Sequence, residues 1–394
     1  MSKMDNFIDV GYSQLTKKNE EICGDRVEIA RTDDGVIAVM SDGLGSGIKA
    51  NILATLTSKI AITMLKNGEE LSEVIDTIIN TLPVCKEREI AYSTLTIIYT
   101  KKTGDTYIVE FDNPSVFYYN KEKNIVSKLK YNTITINGRI VLEAQCHLKE
   151  NDSIIAVSDG IIHAGAGEVL NYGWEWEHVA KYLQGICLNK NAMMISKSLT
   201  NICNDLYNDK PGDDATVVAM KMKKPQVFDL FTGPPLLKEK DPVLVEKFMD
   251  SPGKKIICGG TAANIVAREL QRDLVMDVDT VTEKIPPICH MEGIYLITEG
   301  VLTMEQTLNY LREFLNNTVS SRTIRELEEQ NGATILANTL LYECTHINFY
   351  LGHCLNAAYR NEGFPQNLQR KFKMVGQIIN SLRKLGKIVS IYYF

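Results

Sequence analysis

The sequence predicts an α/β protein in two parts, and three observations carry that reading. Apolar runs of β type recur through the first half. Two of them end directly in an aspartate loop: residues 36–40 before Ser41-Asp42-Gly43, and 154–157 before Ser158-Asp159-Gly160. Between the runs lie stretches whose apolar residues fall three and four apart, the spacing of a helix face. A proline-containing segment, Gly233-Pro234-Pro235 to Asp241-Pro242, then separates this half from a second one of different style.

Taken in order, a strand starts at 8–12, and Arg31-Thr32-Asp33-Asp34-Gly35 reads as a polar hairpin. After the first aspartate loop, Ile48, Ile52, Leu56 and Ile60 recur every four residues, and Leu53 and Leu65 widen the stripe. An amphipathic helix ending at Asn67-Gly68 is expected. A second helix carries Leu71, Val74, Ile75, Ile78 and Leu82 on one face and stops at Pro83. Strands follow at 92–99, 106–111 and 116–119, joined by turns at Lys102-Thr103-Gly104-Asp105 and Asn113-Pro114-Ser115. Short strands around Asn137-Gly138, helices near 174–183 and 192–207, and a strand at 216–220 complete the first half.

Residues 224–245 read as a linker. Beyond it, 255–258 is a buried strand, Gly259-Gly260-Thr261 a tight turn, and 262–270 a helix. The form repeats with strand 293–297, loop Thr298-Glu299-Gly300 and helix 304–315; from Arg322 the chain reads as mostly helical until a last strand at 388–392.

With 394 residues, 44% of them hydrophobic, the chain can bury two cores, and 23% charged residues argue against wholesale disorder. A net charge of −6 argues against a broad nucleic-acid surface and leaves room only for a local patch. Nine scattered cysteines, odd in number and never spaced C-x-x-C, read as reduced thiols rather than a disulfide framework or a zinc site. The first six residues lack the apolar core of a signal peptide, and no stretch nears 18 uninterrupted apolar residues. The expectation is a soluble, cytoplasmic protein that meets neither nucleic acid nor membrane.

The chemistry lies in the acidic loops. A lone S-D-G is an ordinary turn. Two copies behind apolar strands, with Gly212-Asp213-Asp214-Ala215-Thr216 opening a third strand, can gather their carboxylates at one sheet edge. Such carboxylates repel by roughly 4 kcal/mol per pair at about 4 Å and an effective dielectric near 20, so a cluster calls for a cation. Aspartate oxygens without His or Cys partners favour Mg²⁺ or Mn²⁺ over Zn²⁺. Gly43 and Gly160 let the backbone approach closely, and the helix start behind Gly45-Ser46-Gly47 offers N–H groups to an anion.

Residues from about 8 to 223 resemble the PP2C-type, metal-dependent serine/threonine phosphatases, and within them the bacterial sporulation stage II protein E branch. The matching features, in family order, begin with Gly24-Asp25, Ser41-Asp42-Gly43-Leu44-Gly45-Ser46-Gly47 and Tyr92-Ser93-Thr94-Leu95. Asn113-Pro114-Ser115, Ser158-Asp159-Gly160-Ile161 and Asp213-Asp214-Ala215-Thr216-Val217 complete them. The resemblance implies an α-β-β-α sandwich over 1–223, two antiparallel sheets flanked by helices, followed by a second, helix-rich α/β domain over 246–394. It also implies roles. Asp42 would bridge two Mn²⁺ or Mg²⁺ ions, with the Gly43 carbonyl completing one. Asp159 and Asp213 would hold the second, Asp25 would act through a bound water, and Asp214 is the weaker ligand of its pair. Asp42, Asp159 and Asp213 are thus the implied catalytic set, acting through a metal-activated water on a phosphoserine or phosphothreonine with no phosphoenzyme.

Larger PP2C enzymes carry Glu-Asp where this chain has Gly24-Asp25, and they use an N-terminal arginine on the phosphate. The sporulation branch lacks both, which implies activity that depends on docking a substrate protein. Arg26 is either a phosphate contact or a solvated surface residue. The helix behind Ser46, with Lys49 in its first turns, resembles a regulatory switch; the plainer alternative is a core-packing helix. The implied substrate is a phosphorylated regulator of the anti-sigma-factor antagonist type, and a homodimer is compatible with this reading.

In the second half, Gly259-Gly260-Thr261-Ala262-Ala263-Asn264 is either a phosphate or nucleotide site at a helix start or a structural β–turn–α. Asp277 and Asp279 lie near the spacing of a ribose-binding acid. His346 and His353 are expected on one helix face, where packing and metal binding compete, and Glu299 reads as a cap. Two other functions stay open: a non-catalytic pseudophosphatase, and a nucleotide-sensing interaction protein that works through its C-terminal domain.

Overall fold

In the computed structural model, residues 6–81, 93–136, 138–167, 169–235, 237–316, 318–319, 321–352 and 366–394 are described. They form a first unit ending at Lys224 and a second beginning at Pro225. The first runs β1 (Phe7–Leu15), β2 (Arg26–Arg31), β3 (Gly35–Ser41), α1 (Gly47–Lys66), α2 (Leu71–Thr81), β4 (Leu95–Lys101) and β5 (Asp105–Phe111). Then come β6 (Phe117–Asn120), β7 (Ile125–Ser127), β8 (Asn132–Ile136), β9 (Arg139–His147), β10 (Ser153–Val157) and the single turn α3 (Asp159–Ile162). α4 (Trp176–Ile186), α5 (Ala192–Leu206) and β11 (Ala215–Lys223) close the unit.

Alternation along these strands sorts the unit into layers. Its two sheets, ordered β1-β11-β10-β6-β7 and β2-β3-β4-β5-β9-β8, pair antiparallel throughout. Val10, Ile154, Val218 and Met220 of the first share one buried cluster with Val36, Ala38, Met40 and Ile98 of the second. The alternate residues face outward. Ile155, Val157 and Val217 lie under Val179 and Leu183 of α4 and Ile195 and Leu199 of α5. Ile37, Val39 and Ile97 lie under Ala61 and Ile62 of α1 and Val74, Ile75 and Ile78 of α2. This is the expected α-β-β-α sandwich, and β10 and β11 read as unbroken apolar runs because both their faces are covered.

Helix α1 corrects one expectation. Its large apolar stripe faces water: Ile48, Ile52 and Leu56 are 65%, 53% and 49% exposed. Ala50, Ala54, Thr57, Ser58 and Ala61 face inward instead. Small side chains let the helix approach closely, and the Thr57 and Ser58 hydroxyls donate to the carbonyls of Leu53 and Ala54 at 2.9 and 2.8 Å, so their burial leaves no donor unpaired. By length and hydropathy alone α1 would suit a membrane span. Leu82, Pro83, Tyr92 and Asn137 lie outside the described residues.

The expected linker over 224–245 is a second correction. It contains β12 (Val227–Thr232) and the start of α6 (Asp241–Asp250), which Pro242 opens at a position where no N–H is needed. After these come β13 (Lys254–Cys258), α7 (Gly260–Leu270), β14 (Val275–Asp277), β15 (Ile288–His290), β16 (Leu296–Thr298) and α8 (Val301–Leu315). The last elements are α9 (Ser321–Leu327), α10 (Gly332–Asn338), β17 (His346–Leu351), α11 (Gln366–Lys384) and β18 (Ile388–Tyr393). The sheet order is β14-β15-β16-β13-β12-β17-β18. Strands β16, β13, β12, β17 and β18 run parallel, with β15 and β14 antiparallel at the edge. The region read as mostly helical after Arg322 also contains β17, an interior strand whose apolar Ile347, Phe349 and Leu351 are buried.

Candidate active site

Each acidic loop is fastened to its sheet by its own serine or threonine. The Ser41 hydroxyl donates to the Thr94 carbonyl at 2.7 Å and packs on the Ser93 hydroxyl. The Asp42 amide donates to Thr94 Oγ1 at 3.1 Å, and Asp42 O accepts from the Thr94 amide at 2.9 Å. In the other sheet Ser158 accepts the Thr216 amide on its hydroxyl at 2.8 Å, while its own amide donates to Thr216 O at 2.9 Å. Thr216 then ties the two sheets together: its hydroxyl donates to Asp25 Oδ2 at 2.6 Å and accepts from Gln14 Nε2 at 3.0 Å. The register of β2 on β3 pairs Arg26 with Ser41, which sets Asp25 beside Asp42.

The aspartates named from the sequence meet here. Asp42 shares hydrogen bonds with Asp25 and Asp159 and feels the charge of Asp213. Burial, then repulsion from Asp25, Asp159 and Asp213, pushes the Asp42 carboxyl up to about 9. Burial raises Asp25 to about 6 against the opposing hydrogen bonds of Thr216, Ser158 and Asp42. Asp159 is raised by burial and then by Asp213. Asp213 accepts the Asp214 amide at 3.0 Å, and Asp214 accepts the Lys17 amide at 2.9 Å. Asp25 Oδ1 and Asp214 Oδ2 are buried with no hydrogen-bond partner. Among the described residues no three Asp, Glu, His or Cys side chains stand close enough together to hold a metal ion as they are placed.

Glycine is required at two of these loops for packing. A Cβ on Gly160 would stand 2.1 Å from Asp214 O, and one on Gly43 would stand 2.0 Å from Ala50 O. Arg26 takes the solvated course: it pairs with Glu28, which also holds Lys59 of α1. The start of α1 already meets an anion of the chain itself, because Ser46 donates to Glu20 Oε1 at 2.8 Å.

Residues 32–223 match the family model described as Stage II sporulation protein E (SpoIIE). The first unit thus carries a SpoIIE-type domain. Solved structures similar to this SpoIIE-type domain include the phosphatase domain of the cell-fate determinant SpoIIE from Bacillus subtilis. It is 21% identical, with a TM-score of 0.44 over 56% of this chain and 94% of that one. A longer piece, with a fragment of the regulatory domain, is 22% identical, with a TM-score of 0.48 over 55% of this chain and 64% of that one. The RsbU and RsbW domains of a Mycobacterium tuberculosis protein are 14% identical, with a TM-score of 0.46 over 61% and 68%. No curated protein sequence matches the chain.

Sequence reasoning missed four contributors to the SpoIIE-type site: Gln14, Lys17, Glu20 and the hydroxyl role of Thr216. Only Thr216 left a trace, as the last residue of D-D-A-T. The others lie on β1 and the loop after it, and they reach the cluster solely because β1 pairs with β11.

In the second unit Glu299 caps α8 as expected, accepting the amides of Val301 and Leu302 at 3.1 and 3.0 Å. Asp277 does not stand where a ribose-binding acid would. It ends β14, an edge strand separated from β13 by β15 and β16, and binds the Asp279 amide and His290. Gly259-Gly260 follows β13, whereas the dinucleotide turn follows the first strand, here β12. His346 lies on strand β17, which removes the shared helix face, and His353 lies outside the described residues.

Proposed function

We propose that the SpoIIE-type domain hydrolyses phosphoserine or phosphothreonine on a bacterial regulatory protein, in the cytoplasm, with two Mn²⁺ or Mg²⁺ ions. The observation that supports this is the meeting of Asp25, Asp42, Asp159 and Asp213, delivered from strand ends of two different sheets. The residues fit a hard divalent cation: every donor is oxygen, and the orphaned Asp25 Oδ1 lacks the positive partner that a buried carboxylate needs. Asp42 and the Gly43 carbonyl would hold the ions jointly with Asp159 and Asp213, with Asp25 behind them. Asp214 would support from the Lys17 amide side. When bound, such ions supply a water of lowered pKa and neutralise the phosphoryl oxygens. The chain's own work is positional. Thr216 and Ser158 orient Asp25, Thr94 holds the Asp42 backbone, and the buried sandwich edge keeps the carboxylates from relaxing apart.

With Mn²⁺ present, the purified chain should hydrolyse p-nitrophenyl phosphate and a phosphoserine peptide, and EDTA should stop both. Metal-independent turnover would overturn the proposal. An anti-sigma-factor antagonist-like protein is the substrate class to try first.

Metal uptake should also depend on pH. Asp42 keeps its proton to about pH 9 when folded and metal-free, but an unfolded aspartate loses it near 3.9. Between these values the folded state holds the extra proton, so metal-free stability falls as pH rises through the window. A metal must displace that proton, so Mg²⁺ affinity should climb about tenfold per pH unit between 6 and 8. Calorimetry showing a flat affinity would contradict this.

A further inference from the structure

Lys17 is the cation that, among the described residues, forms an ion pair with the aspartate cluster. Its backbone is pinned, with the Lys17 amide donating to Asp214 Oδ1 at 2.9 Å and the Lys18 amide to Pro211 O at 2.8 Å. These bonds hold the turn after β1 on the loop that carries Asp213 and Asp214. The side chain then reaches Asp213 Oδ1, with Nζ at 3.4 Å.

The pair sits at the rim of the site. The Lys17 and Asp213 side chains are 35% and 45% exposed, whereas Asp25 and Asp214 behind them are buried. So exposed an ion pair adds little to stability, and a stabilising role does not account for a lysine held there. A phosphomonoester entering from solvent meets this rim first. A cation taken up by Asp213 would claim the oxygen that the ammonium now holds. The flexible four-carbon stem lets the ammonium turn to another acceptor with its backbone unmoved.

Resting on the phosphatase reading above, we propose that Lys17 binds a non-reacting phosphoryl oxygen of the substrate, exchanging Asp213 for phosphate when metal is bound. Arg26 is held more closely, with two hydrogen bonds to Glu28 at 3.0 and 2.9 Å.

The test is calorimetric binding of inorganic phosphate to the Mg²⁺-loaded full chain, as wild type, Lys17→Arg and Lys17→Met. Loss of one charge-assisted hydrogen bond should weaken phosphate binding about 10- to 100-fold in Lys17→Met, with Lys17→Arg largely restored. Mg²⁺ affinity should hold or tighten, since a nearby positive charge is removed. Equal phosphate affinity in Lys17→Met, alongside an active wild type, overturns this inference alone. A wild type that takes up Mg²⁺ but neither binds phosphate nor hydrolyses phosphoester overturns the phosphatase reading and this one together.

Discussion

Asp42→Ala is expected to lower Mn²⁺-dependent phosphoester hydrolysis by roughly 10³-fold or more, because metal-derived charge stabilisation of several kcal/mol corresponds to at least that factor. Asp42 lies at the centre of the cluster, bonded to Asp25 on one side and Asp159 on the other. No single neighbour can replace it. Asp159→Ala should act in the same way, because it removes a carboxylate from the facing sheet. The folded chain should survive both changes. Metal-free Asp42 is protonated at neutral pH, so its removal takes hydrogen bonds from Asp25 and Asp159 rather than relieving repulsion, and metal-free Asp42→Ala should stay folded but melt somewhat below wild type. Retained turnover in both variants would mean that the carboxylates do not hold the catalytic ions.

Asp229→Ala carries the largest expected effect on stability. Asp229 of β12 is fully buried and accepts Lys255 Nζ from β13 at 2.7 Å, Asn348 Nδ2 from β17 at 2.8 Å and the Ser251 hydroxyl at 3.0 Å. Three elements therefore converge on one carboxylate. Removing it leaves the Lys255 ammonium, itself only 6% exposed, without its counter-charge. Breaking such a buried pair costs about 3–5 kcal/mol, whereas replacing both partners by apolar residues of similar volume is often close to neutral. Asp229→Ala should thus shift urea unfolding of the second unit strongly, and Asp229→Leu with Lys255→Met should recover most of the loss. Both tryptophans, Trp174 and Trp176, lie in the first unit. Their fluorescence follows that unit, while far-UV circular dichroism follows both. A single variant as stable as wild type would show that the pair is not needed.

The two-unit α/β organisation and the acidic set were legible because local pattern states them. An apolar run ending in S-D-G announces a covered strand with a carboxylate at its tip, whatever its neighbours are. Helix α1 shows where such reading stops. Periodicity finds the stripe Ile48, Ile52, Leu56, but which side meets the sheet depends on how closely the helix must approach, and the alanine and hydroxyl face wins. The segment from 224 to 245 misled for a related reason. Prolines on both flanks of β12 resemble a linker locally, although five parallel strands need β12 among them to close their ladders. Strand β17 stayed hidden because its apolar run is short and stands next to helices, where periodicity cannot separate a buried strand from a helix turn.

By itself the sequence determined which residues carry the acidic chemistry, the two apolar cores and the family of the first unit, since these depend on residue type and short-range spacing. Tertiary structure alone decided what surrounds that chemistry. Pairing of β1 with β11 brings Gln14 to Thr216, and Lys17 to Asp213 and Asp214, all about two hundred residues away. Sheet order sets Asp229 against Lys255 and removes Asp277 from any ribose site. Such contacts arise from long-range registers, and no local window of sequence contains both of their partners.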